Sequence, residues 1–412
     1  MTEIEESVDP YAALRHQDFR LLLSGRFLTS FGEEMLSFAV GWELWLRTHS
    51  AFALGMVGLV QVIPVVLLSL PAGHIADQYE RKRIVVLAEV LLAVCAFGLG
   101  WLSFTNGALT LIYLLLLGIG ISRAFNEPAS STLVPQTVST ENYSNAAMWN
   151  SGTWQIASIS GPAIAGLCAG IFKSVTFIYF FEGFAALTFC LMLAFIKGKP
   201  VRLAPKATTF DSLREGLRFM RDTKIILAAI TLDMFAVLFG GAVALLPIYA
   251  TDILKVGPTG LGILRAAPAV GAVITSIVLT RLPPMKNAGQ TLFLVVAGFG
   301  LATIVFGIST SFILSIAMLL LLGCLDNISV VIRITLLLTQ TPDEMRGRVS
   351  SVNNAFIGIS NELGSFESGL TAGLFGPVIA VILGGLGTLI VVLAVAKYSP
   401  ELRNLKTLDQ PK

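Results

Sequence analysis

The sequence predicts an all-α integral membrane protein: twelve transmembrane helices in two pseudo-symmetric six-helix bundles. Three observations point there. Of the 412 residues, 55% are hydrophobic and only 13% charged, against roughly 25% charged in soluble domains. That is too little charge to make the polar surface a soluble protein needs. The apolar residues gather into runs of about 20, the length that crosses a hydrocarbon core of roughly 30 Å. The third observation is that the two halves of the chain resemble each other at a nearly fixed offset.

The elements follow in order. Residues 1–18 form an acidic head with Glu3, Glu5, Glu6 and Asp9. It lacks the basic start, short apolar stretch and small-residue cleavage site of a signal peptide, so the first span is expected to stay as an uncleaved anchor. Helices are predicted at 19–46, 52–76, 84–104, 109–131, 145–170 and 174–196, an N-terminal bundle over 19–196. The second set is predicted at 225–253, 258–280, 289–309, 311–338, 349–370 and 372–396, a C-terminal bundle over 225–396. Between them, residues 197–224 are polar and basic, the natural linker. Within it Leu213, Leu217 and Met220 share one helical face, which predicts a short amphipathic helix along the membrane surface. Residues 397–412 form a tail.

Charge asymmetry fixes the expected orientation. Of the 28 Lys and Arg, Arg26, Arg123, Arg265 and Arg333 lie within spans, and only Arg47, Lys173 and Lys255 fall opposite the N-terminal side. Both termini are therefore expected in the cytoplasm, as an even number of spans requires. For the repeat, a shift of 203 residues places Thr132-Leu133 on Thr335-Leu336, Glu141 on Glu344, Asn150 on Asn353, Gly161 on Gly364 and Gly166-Leu167 on Gly369-Leu370. Such an offset suggests parallel repeats related by an axis along the membrane normal.

Ionisable groups at mid-span cost about 2.5–3.5 kcal/mol each on insertion scales, so each one is a functional candidate. Glu33 and Glu34 lie in the first helix beside Gly32. Arg123 and Glu127 lie one turn apart in the fourth, Asp233 in the seventh, Asp326 and Arg333 in the tenth, and Glu362 and Glu367 in the eleventh. Glu33 or Glu34 can carry a proton, or can form a fixed ion pair that positions the first helix against the fourth. Arg123 and Glu127 can pair with each other. Asp326 and Arg333 are expected to pair with neighbouring helices. Glu362 and Glu367 do not share a narrow stripe. Gly161 and Pro162, with Gly166, combine a kink and small packing faces, either for plain packing or as a flexing element between the halves. Trp149 and Trp154 read as interface anchors. After the second helix, Gly73, Asp77 and the triplet Arg81-Lys82-Arg83 stand together; positive-inside topology explains the triplet but not Gly73 or Asp77.

On these residues the chain resembles the major facilitator superfamily over essentially its whole length. Gly73…Asp77…Arg81-Lys82-Arg83 is similar to the superfamily's signature loop, with Glu80 replacing its usual glycine. Arg123-Ala-Phe-Asn-Glu-Pro128 and Pro342-Asp-Glu-Met-Arg346-Gly347-Arg348 resemble the branch that contains the bacterial enterobactin exporter and related drug exporters. The resemblance implies the major facilitator fold in a bacterial inner membrane, and Gly73, Asp77 and Arg81 as a gating loop. It further implies Arg123 in proton coupling, and Glu33 or Glu34 sits where related exporters carry an acidic first-helix residue. Asp326, Glu362 and Glu367 match no superfamily-wide motif.

The function expected is proton-coupled efflux of a small amphipathic organic molecule, siderophore-like or drug-like, by alternating access. Import by symport of a nutrient or lipid-like metabolite, and a non-transporting sensor or scaffold, are the alternatives. No HExxH, nucleophile elbow or Walker loop is present, so neither an enzyme nor an ATP-driven pump is expected. Cys95, Cys168, Cys190 and Cys324 lie in apolar runs without metal-ligand spacing, so no metal or cofactor is expected. No basic cluster suits nucleic acid. The expected partners are the cargo, protons and the lipid bilayer, with the chain as a monomer.

Overall fold

The computed structural model describes residues 9–197, 209–283 and 285–406. The first residues of the acidic head, the linker stretch 198–208 and the end of the tail lie outside the described residues. So do the side chains of Asp77 and Leu213.

Twelve long helices carry the fold: α1 Gln17–Thr48, α2 Ala51–Gln78, α3 Arg81–Thr105, α4 Leu109–Ser131, α5 Tyr143–Phe172, α6 Thr176–Phe195, α7 Lys224–Ile253, α8 Gly257–Leu279, α9 Ala288–Ile308, α10 Phe312–Gln340, α11 Asp343–Phe375 and α12 Pro377–Tyr398. Among the described residues, ten of them are long and apolar enough to cross a membrane. The other two, α1 and α11, span 32 and 33 residues but are too polar to qualify by composition. They carry Arg26, Glu33, Glu34 and Glu43, and Glu362 and Glu367. Both stand within the bundle, where protein rather than lipid receives their charges.

Tight connections set the helix ends. Ser50 caps α2 by accepting the Ala53 N–H at 3.3 Å, which satisfies one of the free donors at a helix start. α11 passes to α12 through Gly376 at φ 88°, a conformation that favours glycine. The structure differs from expectation in two places. α7 is not continuous: Gly240 and Gly241 interrupt it after Phe239, and a 3₁₀ turn, Pro247 and a π-turn over Tyr249–Ile253 follow. α11 starts six residues earlier than its apolar run suggested, so Arg346 and Arg348 are helical. The linker helix Thr209–Asp222 packs on α11. Gly216 sits against the Arg348 carbonyl and the Val352 side chain, and Met220 is buried with Ile226, Leu337 and Val349. Leu217, from the expected apolar face, is exposed.

Helices α1–α6 pack on one another, chiefly α1 on α5 and α6, α2 on α4, and α3 on α4 and α6. α7–α12 repeat that pattern, with α7 on α11 and α12, α8 on α10, and α9 on α10 and α12. The two sets meet along α2–α11 and α5–α8. Small residues let these backbones touch, the usual means of close packing in membranes. A Cβ built at Gly55 would lie 2.9 Å from the Cα of Gly369. One built at Gly166 would lie 2.6 Å from the Pro258 carbonyl and 2.8 Å from the Cα of Gly262.

The contact does not run the length of the helices. On α5 the stripe that touches α8 at Pro162 and Gly166 continues to Gly152, where a Cβ would find nothing within 4 Å. On α11 the stripe that touches α2 at Glu362 and Gly369 continues to Gly358 and Gly347, which are equally bare. The sets therefore close at the end away from the chain termini and splay apart at the terminal face.

Candidate functional site

The site grows from polar side chains projecting off α1, α2, α4, α8 and α11 where the cleft narrows. Arg123 of α4 is its centre. Its guanidinium donates to Gln61 Oε1 of α2 at 3.0 Å and to Glu362 Oε1 of α11 at 3.5 Å. It lies 4.0 Å from Glu33 Oε1 of α1. One cation thus ties three helices of the first set to one of the second. A cavity of about 180 Å³ adjoins it, lined by Ser37, Gln61, Arg123, Arg265, Asn361 and Glu362 among others. Val243 and Ala244, in the break of α7, complete the wall. Irregular backbone at membrane depth is tolerated where it lines such a space.

Gly58 explains how Glu362 reaches this level. A Cβ there would strike the Glu362 carbonyl. Glu34 points aside from Glu33, with its Cβ against Gly161 of α5. This follows from the ~100° step between adjacent helical residues. Arg265 of α8 donates to Ser37 Oγ of α1 at 3.3 Å, while its buried Nε has no hydrogen-bond partner. These contacts, with Trp45 donating to Thr251 Oγ1 at 2.7 Å, stitch α1 to the second set on the closed side.

The remaining candidates separate into other places. Asp233 and Arg333 form a buried ion pair at 2.8 Å between α7 and α10. Asp326 lines a small crevice with Asp233, Phe299 and Ser329, so Arg333 does pair with a neighbouring helix. Glu127 is exposed, and Arg123 is engaged by Glu33, Gln61 and Glu362 instead of by Glu127. Glu367 accepts from Thr371 Oγ1 at 2.8 Å, one turn along its own helix. Trp149 is no free anchor: its Nε1–H donates to the Pro10 carbonyl at 3.0 Å and holds the N-terminal segment against α5.

At the terminal face, Gly73 lies in the last turns of α2 and Arg81 opens α3. Arg81 lines a pocket of about 240 Å³ together with Lys82, Gln136 and Lys197. Lys82 donates to the Ile196 carbonyl at 2.9 Å and so caps the C-terminus of α6, as a lysine does at a helix end. Arg83 pairs with Glu80 at 2.6 Å. Gly161 and Pro162 sit where α5 meets both α1 and α8.

Several polar residues at this depth escaped selection. Gln61 and Arg265 line the cavity. Glu89 of α3 and Glu182 of α6 are fully buried within the first set. Each is ionisable inside an apolar run, the same signal that singled out Glu33. Among the described residues, no group of three His, Cys, Asp or Glu is arranged to hold a metal ion.

With this geometry in hand, known proteins give its context. A family model described as transmembrane secretion effector matches residues 8–411. The enterobactin exporter EntS of Shigella dysenteriae serotype 1 is 26% identical over 397 residues, covering 95% of this chain and 94% of that one. EntS of Escherichia coli strain K12 matches with the same identity and coverage. Among solved structures, a bacterial homolog of the human lysosomal transporter Spinster, inward-facing and occupied, superposes with a TM-score of 0.73 at 13% identity, over 97% of this chain and 98% of that one. The D-xylose–proton symporter gives 0.73 at 13% identity, over 94% and 99%.

Proposed function

The chain belongs to the transmembrane secretion effector family of major facilitator transporters, and from that premise we propose that it exports a small amphipathic organic molecule in exchange for protons. It is a multi-pass membrane transporter, not an enzyme. The finer reading rests on one observation: Arg123 joins Glu33, Gln61 and Glu362 across both helix sets beside the cavity. A cation shared between carboxylates can be released or recaptured as one of them gains or loses a proton. The contact it holds between α4 and α11 is then made or broken.

In this reading cargo enters the cleft from the terminal face, taken as cytoplasmic. It binds beside Arg123 and Arg265 and leaves when the closed side opens. Glu33 or Glu34 carries the proton. Each 100 mV of membrane potential supplies about 2.3 kcal/mol per charge moved. Gly161, Pro162 and Gly166 serve as the flexing contact, and Gly73, Asp77 and Arg81 as the gating loop. The cargo is of the siderophore or drug-like class, by analogy with the exporter relatives. The chain works as a monomer in a bacterial inner membrane, with both termini cytoplasmic.

The test is transport in everted vesicles after a deletion strain, profiled for metabolites retained in cells against medium, has identified the cargo. Replacing Glu33 and Glu34 together with Gln is expected to abolish uphill export while leaving counterflow. Undiminished uphill export by that double variant overturns the assignment.

A further inference from the structure

We propose that Glu182 of α6 is a proton-binding residue sealed inside the first six-helix set, behind α1 and apart from the cargo cavity. The residue is 0% exposed, and neither of its carboxylate oxygens has a hydrogen-bond partner. Among the described residues, no Lys or Arg forms an ion pair with it. Its carboxyl points at α1: a Cβ built on Gly32 would overlap Glu182 Oε2. Gly32 therefore makes room for this group, one residue before Glu33.

Helix packing arranges the surrounding charges in two layers. Gly25 of α1 meets Phe189 of α6, and Cys190 of α6 reaches the Val86 carbonyl of α3. These contacts set Arg26, Glu89 and Asn126 in one layer near the terminal face, with Asn126 donating to Glu89 Oε1 at 2.8 Å. Glu33 and Glu182 lie deeper, Glu33 about 10 Å beyond Arg26 along α1, and Arg123, three residues from Asn126 on α4, sits between the two layers. The charged groups acting on Glu182 are Glu33 from α1, Glu89 from α3 and Arg123 from α4. Those acting on Glu89 are Glu33 and Arg26, with Asn126 bonded to it.

An ionised carboxylate with no partner in a protein interior loses its hydration with nothing to replace it. The neutral acid forgoes only its hydrogen bonds, a smaller penalty. Glu182 therefore holds its proton in this arrangement. Glu89, whose Oε2 is also unpartnered, stands between it and the terminal face. The proton leaves a Glu182 oxygen for the unpartnered Glu89 Oε2 once Glu89 has released its own proton toward the terminal face. Cargo and proton then occupy separate compartments on two sides of α1, so both can be bound at once.

The role in coupling rests on the proton-exchange reading above; proton binding itself does not. The test is pH-dependent infrared difference spectroscopy of the purified full-length protein, which reads the carbonyl stretch of protonated carboxyls without cargo. Glu182→Gln is expected to lose one such band with Tm unchanged, because an amide replaces a neutral acid of the same shape. Gly32→Ala, with its methyl on the Oε2 position, is expected to shift that band. Glu89→Gln should keep it but slow its disappearance after an alkaline jump. A full set of bands in Glu182→Gln overturns the proposal, whatever vesicles show. Loss of both the band and uphill export in Glu182→Gln, with export intact in the Glu33→Gln, Glu34→Gln double variant, would instead remove the cavity acids as carriers and leave Glu182 standing.

Discussion

Replacing Gly262 with Ala should push the transporter out of the conformation described here. A Cβ at that position lies 2.6 Å from the Pro162 carbonyl oxygen and 3.0 Å from the Cα of Gly166. Ordinary contact begins at 3.4 Å, a shortfall of 0.8 Å against the carbonyl. Both neighbours are backbone, so no side chain can rotate aside and α5 and α8 must separate. Overpacking of this kind costs about 1–3 kcal/mol. The cost falls only on states in which the two helices touch. Converted at tenfold per ~1.4 kcal/mol, it shifts the equilibrium about 5- to 150-fold toward states open on the far side. The assay is a spin-label distance between Met148→Cys on α5 and Asn354→Cys on α11, both exposed at the splayed end, with the four native cysteines replaced by Ala. Gly262→Ala should enrich a shorter distance. Gly152→Ala, where the Cβ meets nothing within 4 Å, should not. A distance distribution that superposes on the parent, whether or not Tm falls, would refute the idea that this contact gates the far side.

Other perturbations test the remaining parts. Asp233→Asn leaves the buried Arg333 without its counter-charge and should cost about 3–5 kcal/mol in detergent unfolding, with much of the loss recovered by replacing both with Leu. Arg47 pairs with Glu43 and donates to the carbonyls of Gly107, Leu102 and Ser103, so Arg47→Ala should free the end of α3 and lower stability by roughly 2–4 kcal/mol, visible as a fall in Tm. By contrast, Arg348→Ala breaks the exposed pair with Glu215 and a weak contact with Met345 Sδ one turn back, and should change stability by less than about 1 kcal/mol in the same measurement.

Much of the scaffold was legible because lipid imposes one rule on each span. The twelve helices, the tight connections and the candidates Glu33, Arg123 and Glu362 follow from apolar run length and from charge found where it is costly. Direction was less legible. Nothing in the spacing of Arg123 and Glu127 says that Arg123 turns to Glu33 and Glu362, because that choice depends on which helices stand opposite. The break in α7 escaped for a similar reason. Gly240-Gly241 and Pro247 are common residues in membrane helices, and the close approach of α11, where a Cβ built at Gly241 would lie 2.5 Å from the Gly364 carbonyl and from Ser368 Oγ, does not show in the spacing within α7. Glu89 and Glu182 carried the same signal as Glu33. Their isolation in the first set became visible only once α1, α3 and α6 were packed together. The linker helix docks on α11 through Met220 of its apolar face and through Gly216, a residue without hydrophobicity that an apolar stripe does not single out.

The polarity of α1 bears on how the chain is made. Of the twelve helices this one is made before the others, and Arg26, Glu33 and Glu34 together oppose its transfer into bare lipid by about 7–10 kcal/mol before its apolar residues are counted. On that cost α1 is expected to stay beside the insertion machinery until α4 supplies Arg123, the cation nearest Glu33, and α11, with Glu362 and Glu367, is expected to rely on its neighbours in the same way. Truncation after α2 should therefore yield a product that slips back out of the bilayer, while truncation after α6 should not.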